Sequence, residues 1–179
     1  MGVSPVPAEE PASQIALRAS FSAFFSAEYR SVVGLASVLS GRRSVGEELA
    51  QEAFVAAFRR WDVVGGYEDP GGWVRRVAVN LATSSWRRRV REARALGRLR
   101  HRRDAADQMS GIDDEVWAVV RALPAHQAQC VALRYLEDRS VRDIAAVLGI
   151  AEATVRVHLH TGRKTLAAHF DETVAEESA

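Results

Sequence analysis

The chain has 179 residues, of which 47% are hydrophobic and 26% are charged, so it can form one large or two small globular domains. Its single cysteine, Cys130, excludes an intramolecular disulfide and a cysteine-rich metal site, and its apolar neighbours predict that it is buried. No apolar run approaches the length of a membrane span, and the first residues lack the pattern of a signal peptide. We therefore expect a soluble, cytoplasmic protein without membrane insertion.

Charge is distributed unevenly, although the net charge is only +1. Nine arginines and a single acid, Glu92, lie between Arg87 and Arg103, whereas the other acids cluster in separate parts of the chain. This asymmetry predicts an anionic partner for one part of the surface and a different partner for the rest.

The first part of the chain is predicted to be a leader followed by helices. Residues 1–14 contain three prolines and little that could pack, which indicates a disordered leader. A helical stripe of apolar residues then runs from about 15 to 39, with Gly34 as a candidate bend. Ser44 and Glu47 have the spacing of a capping box, which predicts a second helix that ends near Trp61.

Residues 62–69 are predicted to form a loop before the next helix. Asp69 and Pro70 have the pattern of an N-cap followed by proline at the first helical position. The helix continues to about Arg91, so residues 15–91 are predicted to form the first domain.

A second domain is predicted over residues 112–170, with a flexible linker over 92–111 and a tail over 171–179. It begins with a helix that Pro124 ends, continues with a helix around 128–135, and finishes with a helical pair over 140–166. No segment alternates with the period of a strand. The predicted fold class is therefore all-α, as two small helical domains.

The helical pair has the pattern of a helix-turn-helix. Ser140 and Asp143 predict a capping box, and Gly149 predicts the turn. The second helix is expected to expose one face: Ala153, Arg156, Val157, His160, Thr161 and Lys164, with Arg163 beside them. Arginine, lysine and threonine can contact bases or phosphates, so this face is typical of a helix that enters the major groove. An ordinary αα-hairpin with a solvated basic face is the alternative.

The helix before the linker interleaves aromatic, amide and basic side chains: Trp73, Arg75, Arg76, Asn80, Trp86 and Arg87–Arg89. Arginines can neutralise phosphates, exposed rings can stack on unpaired bases, and an asparagine amide can contact a base that has left the stack. In the alternative interpretation both tryptophans belong to the core and Asn80 is an ordinary surface residue.

Three motifs in this order resemble the extracytoplasmic-function sigma factors of bacterial RNA polymerase, of the SigE-like actinobacterial type. They are GEELAQEAFVAAFRRW (46–61), GGWVRRVAVNLATSSWRRR (71–89) and LPAHQAQCVALRYLEDRSVRDIAAVLGIAEATVRVHLHTGRKTL (123–166). The resemblance covers nearly all of residues 20–170. Ser84 stands where the family usually has aspartate, and several residues of the last helix also depart from the family pattern, so no promoter sequence is predicted.

The resemblance implies a σ2-like domain and a σ4-like domain that bind core RNA polymerase, at its β′ clamp helices and β flap, and place it on promoter DNA. Carried over by position, the polymerase-binding residues are Glu48, Gln51 and Phe54. The residues implied at the −10 element are Trp73, Asn80, Arg87 and Arg88. The residues implied at the −35 element are Arg156, Val157, His158, His160, Thr161, Arg163 and Lys164. The family often uses anti-sigma factors, and the apolar surfaces of the two domains could accept one.

Two other functions are consistent with the residues. A LuxR-type regulator would bind an operator as a homodimer without polymerase, and a pure interaction module would leave its basic stretch solvated. An enzyme is not expected, because the five histidines lack metal-ligand spacing and no phosphate-binding loop or nucleophile elbow occurs. We therefore predict no catalytic residue, no metal and no cofactor.

Overall fold

The computed structural model describes residues 12–95 and 112–177, and within these ranges it contains helices and no strand. The helices are α1 (Ala12–Ser40), α2 (Arg43–Phe58), α3 (Trp61–Val64), α4 (Pro70–Ala95), α5 (Ile112–Ala122), α6 (Ala125–Tyr135), α7 (Val141–Leu148) and α8 (Glu152–Glu177). None of the described helices is long and apolar enough to cross a membrane. The all-α prediction is confirmed.

The start of the chain differs from the prediction in three ways. α1 continues as a helix through Gly34, and it begins at Ala12, inside the predicted leader. α2 begins at Arg43, and its N-cap residue has no side-chain cap, so the capping box predicted at Ser44 is wrong. Glu47 pairs with Arg43, one turn before it, at 3.0 Å.

Helices extend into both the predicted loop and the predicted linker within the described residues. α3 occupies the start of the predicted loop at 62–69, and α4 includes residues 92–95 of the predicted linker. The N-cap prediction at α4 is confirmed, since Asp69 Oδ1 accepts a hydrogen bond from the Gly72 N–H at 2.7 Å. The rest of the linker, most of the leader and the last two residues lie outside the described residues.

The first core is an aromatic cluster between α1, α2 and α3. Phe54 is only 2% exposed, and its ring centroid lies 5.0 Å from that of Phe25 and 5.8 Å from that of Phe24. Trp61 closes the cluster, with its indole N–H donating to the Ser20 hydroxyl at 2.8 Å. Burying large side chains of this kind contributes about 1.5–3 kcal/mol each.

The second core joins the two halves of the chain. Leu35 and Leu39 of α1 and Val79 and Ala82 of α4 pack in one cluster with buried residues of α5, α6, α7 and α8. Residues contributed from the second half include Val120, Leu133, Ile144, Val155 and Leu159. The two predicted domains are therefore packed against each other through apolar side chains.

Cys130 lies in this second core and is completely buried, as predicted. Burial raises the pKa of the Cys130 thiol to about 11. At pH 8 only about one thiol in a thousand is then ionised, and the thiolate is the reactive form. We expect the native chain to react very slowly with a thiol reagent at pH 8 and rapidly once denaturant is added. Fast labelling of the native chain would contradict this burial.

Candidate nucleic-acid interfaces

α7 and α8 form the predicted helix-turn-helix. The Ser140 hydroxyl accepts a hydrogen bond from the Asp143 N–H at 3.1 Å, and the Asp143 carboxylate accepts one from the Ser140 N–H at 3.2 Å. Gly149 follows α7 with a φ of 66°, in the left-handed region that glycine adopts without a steric cost. The capping box and the glycine turn are both confirmed.

α8 has one buried and one exposed face, as its periodicity predicts. Val155, Leu159 and Gly162 are buried. A side chain at Gly162 would meet Val131 Cγ2 of α6 at 3.1 Å, so glycine lets α8 lie close to α6. The predicted outward residues are all exposed: Ala153, Arg156, Val157, His160, Thr161, Arg163 and Lys164. This exposed face combines basic groups with the methyl groups of Val157, which could meet a thymine methyl.

Arg156 already has an acidic neighbour on the same helix. Its guanidinium donates to the Glu152 carboxylate at 2.7 Å, and both side chains are largely exposed. Exposed pairs at this spacing contribute about 0.3–0.5 kcal/mol, so a phosphate or a base edge can replace the carboxylate. The sequence analysis omitted Glu152, although its (i, i+4) spacing from Arg156 is the signal that could have identified the pair.

His158 lies at the edge of the buried face of α8 rather than on the exposed face. Its ring centroid is 5.6 Å from that of His126 in α6. Burial, and then the neighbouring charge of His126, lowers the pKa of His158, which favours the neutral imidazole. Of the residues implied at the −35 element, His158 is thus the least accessible to DNA.

α4 carries the second candidate interface. Asn80, Arg87 and Arg88 are exposed, and Arg88 has a long ion pair with Glu92 at 3.9 Å. The side-chain oxygen of Asn80, Oδ1, accepts a hydrogen bond from Gln129 Nε2 of α6 at 3.2 Å. The Asn80 side chain, our candidate for contacting a base, is therefore at the surface, but its Oδ1 is hydrogen-bonded to the second half of the chain.

Neither tryptophan of α4 is an open stacking platform. Trp73 is partly buried against the aromatic core. Trp86 is partly buried, and the Cζ atoms of Arg89 and Arg121 lie 5.4 and 5.3 Å from its ring centroid. The sequence analysis expected exposed rings because spacing alone could not show that Arg121, from α5, covers this helix.

Arg75 was predicted to be a phosphate-binding residue, and the structure shows that it is buried. Only 5% of Arg75 is exposed, whereas Arg76 beside it is exposed. Burial opposes its charge, but hydrogen bonds and charges from Glu137 and then Glu28 outweigh burial and raise the pKa of Arg75. This side chain is therefore occupied by carboxylates and is not available to DNA.

The residues implied to bind polymerase lie on two sides of α2. Glu48 and Gln51 are exposed, but Phe54 faces the aromatic core. Two apolar side chains of the same helix are exposed instead, with 46% of Val55 and 48% of Phe58 accessible. Phe58 has the helical spacing of a core residue, and aromatic residues at such positions are usually buried, so its exposure is a feature that the structure adds.

Two family models match the chain one after the other. Sigma-70 region 2 matches residues 24–92, and Sigma-70, region 4 matches residues 113–166. The chain belongs to the sigma-70 family. α4 and its Asn80 thus lie in region 2, and the helix-turn-helix of α7 and α8 lies in region 4.

Curated relatives carry sigma-factor names. The chain is 34% identical over 157 residues to the ECF RNA polymerase sigma factor SigE of Mycolicibacterium smegmatis, over 79% of this chain and 60% of that protein. It is 29% identical over 132 residues to the RNA polymerase sigma-E factor of Streptomyces coelicolor, over 73% of each chain. These relatives associate the chain with the extracytoplasmic-function group of the family.

Solved sigma-factor structures share the fold. The TM-score is 0.65, at 20% identity, with the sigma factor RpoE in complex with the anti-sigma factor NepR from Bartonella quintana, over 84% of this chain and 96% of that chain. It is 0.64, at 18% identity, with CnrH in complex with the cytosolic domain of CnrY, over 90% of this chain and 99% of that chain. At these identities the similarity concerns the fold alone.

Proposed function

We propose that this sigma-70 family chain is a promoter-specificity subunit that directs core RNA polymerase to −35 and −10 DNA elements in the cytoplasm. The observation that carries the proposal is a pair of separate exposed faces on one chain. One is the basic outer face of α8 in region 4, and the other is the Asn80 and arginine surface of α4 in region 2. No catalytic role is assigned to either face.

The α8 face suits duplex DNA. The second helix of a helix-turn-helix lies in the major groove, where its first turns meet base edges. Arg156 and Val157 occupy those turns, and Arg163 and Lys164 lie about two turns further along, where they can contact phosphates. Each phosphate contact releases counterions, so binding is expected to weaken as salt rises.

The α4 face suits DNA whose strands have separated. Asn80 can donate and accept hydrogen bonds with a base that has left the stack, and Arg87 and Arg88 can hold the adjacent backbone. Taking a base out of the stack costs a few kcal/mol. Such a small surface cannot open a promoter alone, and in this proposal core polymerase supplies the remaining free energy.

The exposed side of α2 is our candidate for polymerase docking. Glu48 and Gln51 supply polar groups there, and Val55 and Phe58 supply apolar surface. Phe54 lies on the opposite side of α2, where it packs this helix against the aromatic core. RpoE was solved in complex with an anti-sigma factor and CnrH in complex with the cytosolic domain of CnrY, and we propose that an anti-sigma factor also binds this chain.

Transcription in vitro tests the proposal directly. The chain would be added to core polymerase and a promoter library in which the −35 and −10 positions are randomised. We expect transcription that depends on both the chain and a particular pair of elements. Tight, polymerase-independent binding of one duplex by a homodimer would instead indicate a LuxR-type regulator.

Replacing Arg156 by alanine is expected to relax sequence preference at one or two −35 positions. A good contact between arginine and a base edge contributes about 1–3 kcal/mol of discrimination, or about 5- to 150-fold. The measurement is the ratio of transcripts from matched and mismatched −35 sequences in the same library. Preference at the −10 positions should be retained.

Arg43→Ala is the matched control for Arg156→Ala. Arg43 is also an exposed arginine in an (i, i+4) pair, with Glu47 at 3.0 Å, but it lies in region 2. It should leave the −35 preference unchanged. Equal loss of preference in both variants would mean that net charge, rather than a contact by Arg156, sets the −35 readout.

A further inference from the structure

Two histidines from different helices meet in region 4, beside the helix-turn-helix. His126 lies in the first turn of α6 and His158 in the second turn of α8. Their ring centroids are 5.6 Å apart, and their ring planes are inclined at 59°. His126 is exposed and His158 is half-buried, so the pair is open to solvent. Spacing along the sequence does not reveal this pair, because spacing relates only residues that share a helix.

The two helices that carry the rings are in direct contact beside the pair. Gly162, one turn after His158, has no side chain to separate α8 from α6. A Cβ at Gly162 would lie 3.8 Å from Gln127 Cβ, and Gln127 follows His126 in α6. The two imidazoles are therefore brought together by helix packing that needs no ligand. A binding site on packed helices is preorganised, since its supporting elements are already fixed.

The separation of the rings matches that of two imidazoles on one metal ion. A metal lies about 2.0–2.1 Å from the nitrogen that binds it, and so about 3.2 Å from the centroid of that ring. Two rings that bind one ion at a tetrahedral or trigonal angle then have centroids about 5.2–5.5 Å apart. The observed 5.6 Å is within about half an ångström of this range. Rotation about the side-chain torsions can turn a nitrogen of each ring toward a shared ion.

The electrostatics of the pair also suit a metal, which binds only the neutral imidazole. Burial, and then the charge of His126, lowers the pKa of His158. The His158 ring is thus neutral at neutral pH and keeps a lone pair for a metal. Two protonated rings at this distance repel each other, whereas a cation between two neutral rings is attracted to both lone pairs.

The kind of metal follows from the ligands. Imidazole nitrogen suits Zn²⁺, Ni²⁺ and Cu²⁺, whereas Mg²⁺ and Ca²⁺ prefer oxygen ligands. Within residues 12–95 and 112–177 there is no group of three or more histidine, cysteine, aspartate or glutamate side chains that could hold a metal. Water would therefore complete the coordination, and we expect exchangeable binding rather than a permanent structural site.

We propose that His126 and His158 form a two-histidine site for a divalent transition-metal ion, which holds α8 against α6 in region 4. This site goes beyond the proposed function, and it gives a role to the −35 candidate that is least accessible to DNA. Its tests need neither DNA nor polymerase. The site can therefore fail while the proposed function stands, and the reverse.

Isothermal titration calorimetry of the full-length chain with ZnCl₂ tests the site. We expect one Zn²⁺ to bind per chain. His126→Ala and His158→Ala should each lower the affinity by about 100-fold or more, because two binding groups on one scaffold gain about 10²- to 10⁴-fold over one alone. His160→Ala is the matched control, because His160 is an exposed histidine of the same helix outside the pair. It should bind Zn²⁺ as the wild-type chain does.

His126 is exposed, so His126→Ala should keep the fold and decides the result if His158→Ala does not fold. Circular dichroism shows whether each variant keeps its helices. Unchanged affinity in His126→Ala, or an equal loss in His160→Ala, would overturn the site.

Thermal unfolding tests whether the metal stabilises the contact between α8 and α6. With free Zn²⁺ at about 100 times its half-saturating concentration, the midpoint should rise by about 5–10 °C in the wild-type chain and in His160→Ala. It should not rise in His126→Ala, nor in any chain when MgCl₂ replaces ZnCl₂. Zn²⁺ binding that requires both histidines but leaves the midpoint unchanged would show that the unfolded chain binds the ion equally well, which contradicts the stabilising role.

Discussion

Gly46→Ala is expected to destabilise the fold by about 3 kcal/mol, the upper part of the usual range for overpacking. Gly46 lies in the first turn of α2, where this helix crosses α1 with almost no space between the backbones. A Cβ at this position would overlap the backbone nitrogen, Cα and hydroxyl of Ser37. Because a backbone cannot rotate away as a flexible side chain can, α1 and α2 would have to separate, and the apolar contacts between them would be lost.

Gly34→Ala provides the control with the same chemical change and the opposite expected sign. Gly34 lies inside α1, and a Cβ there would meet nothing within 4 Å. Alanine should stabilise the helix by about 0.5–1 kcal/mol relative to glycine. Thermal unfolding measures both, since each kcal/mol shifts the midpoint by about 2–4 °C in a chain of this size. A Gly46→Ala midpoint at or above that of Gly34→Ala would show that the two helices are not in close contact.

Asn80→Ala is expected to slow promoter opening by about 5- to 150-fold, corresponding to about 1–3 kcal/mol for a well-placed base contact. The amide is the polar group of α4 that could hold an unpaired −10 base, and alanine removes both its donor and its acceptor. Association with core polymerase should be unchanged, because the polymerase-docking candidates lie on α2. The measurements are the rate of open-complex formation and the affinity for polymerase.

Ser84→Ala is the control for this variant. Ser84 is an exposed polar residue one turn further along α4, so it reports any general effect of removing polarity from the helix. Asn80→Ala also removes one of the hydrogen bonds of Gln129, which keeps its contact with Thr83. A large drop in thermal stability would therefore indicate a structural role for Asn80, and normal opening with normal stability would contradict base capture.

Features set by neighbouring residues were predictable from the sequence. The Ser140–Asp143 capping box and the Gly149 turn depend on residues within one helical turn, so their spacing specifies them. The exposed face of α8 follows from the helical repeat once Val155 and Leu159 are recognised as core. The family resemblance depends on such local motifs, which is why the helix-turn-helix and the α4 motif were both identified from the chain alone.

Local patterns failed where a competing contact was available. The spacing of Ser44 and Glu47 predicted a capping box, but α2 already begins at Arg43, and Glu47 pairs with Arg43. Phe58 has the spacing of a core residue, yet α3 and the start of α1 leave almost half of its surface exposed. Glu47 and its partner lie one turn apart on the same helix, whereas the exposure of Phe58 depends on α1 and α3, which no spacing within α2 specifies.

The sequence by itself determined an all-α chain with a helix-turn-helix and a second basic helix, because these depend on residues three or four positions apart. Only the tertiary structure decided that the two halves close on each other. Arg75 meets Glu137 across 62 residues, and Asn80 meets Gln129 across 49. No periodicity relates such pairs, since they come together only when the apolar faces of α1 and α4 are covered by region 4. Helical periodicity relates residues only three or four positions apart, whereas the partner of a buried charge depends on how the whole chain packs.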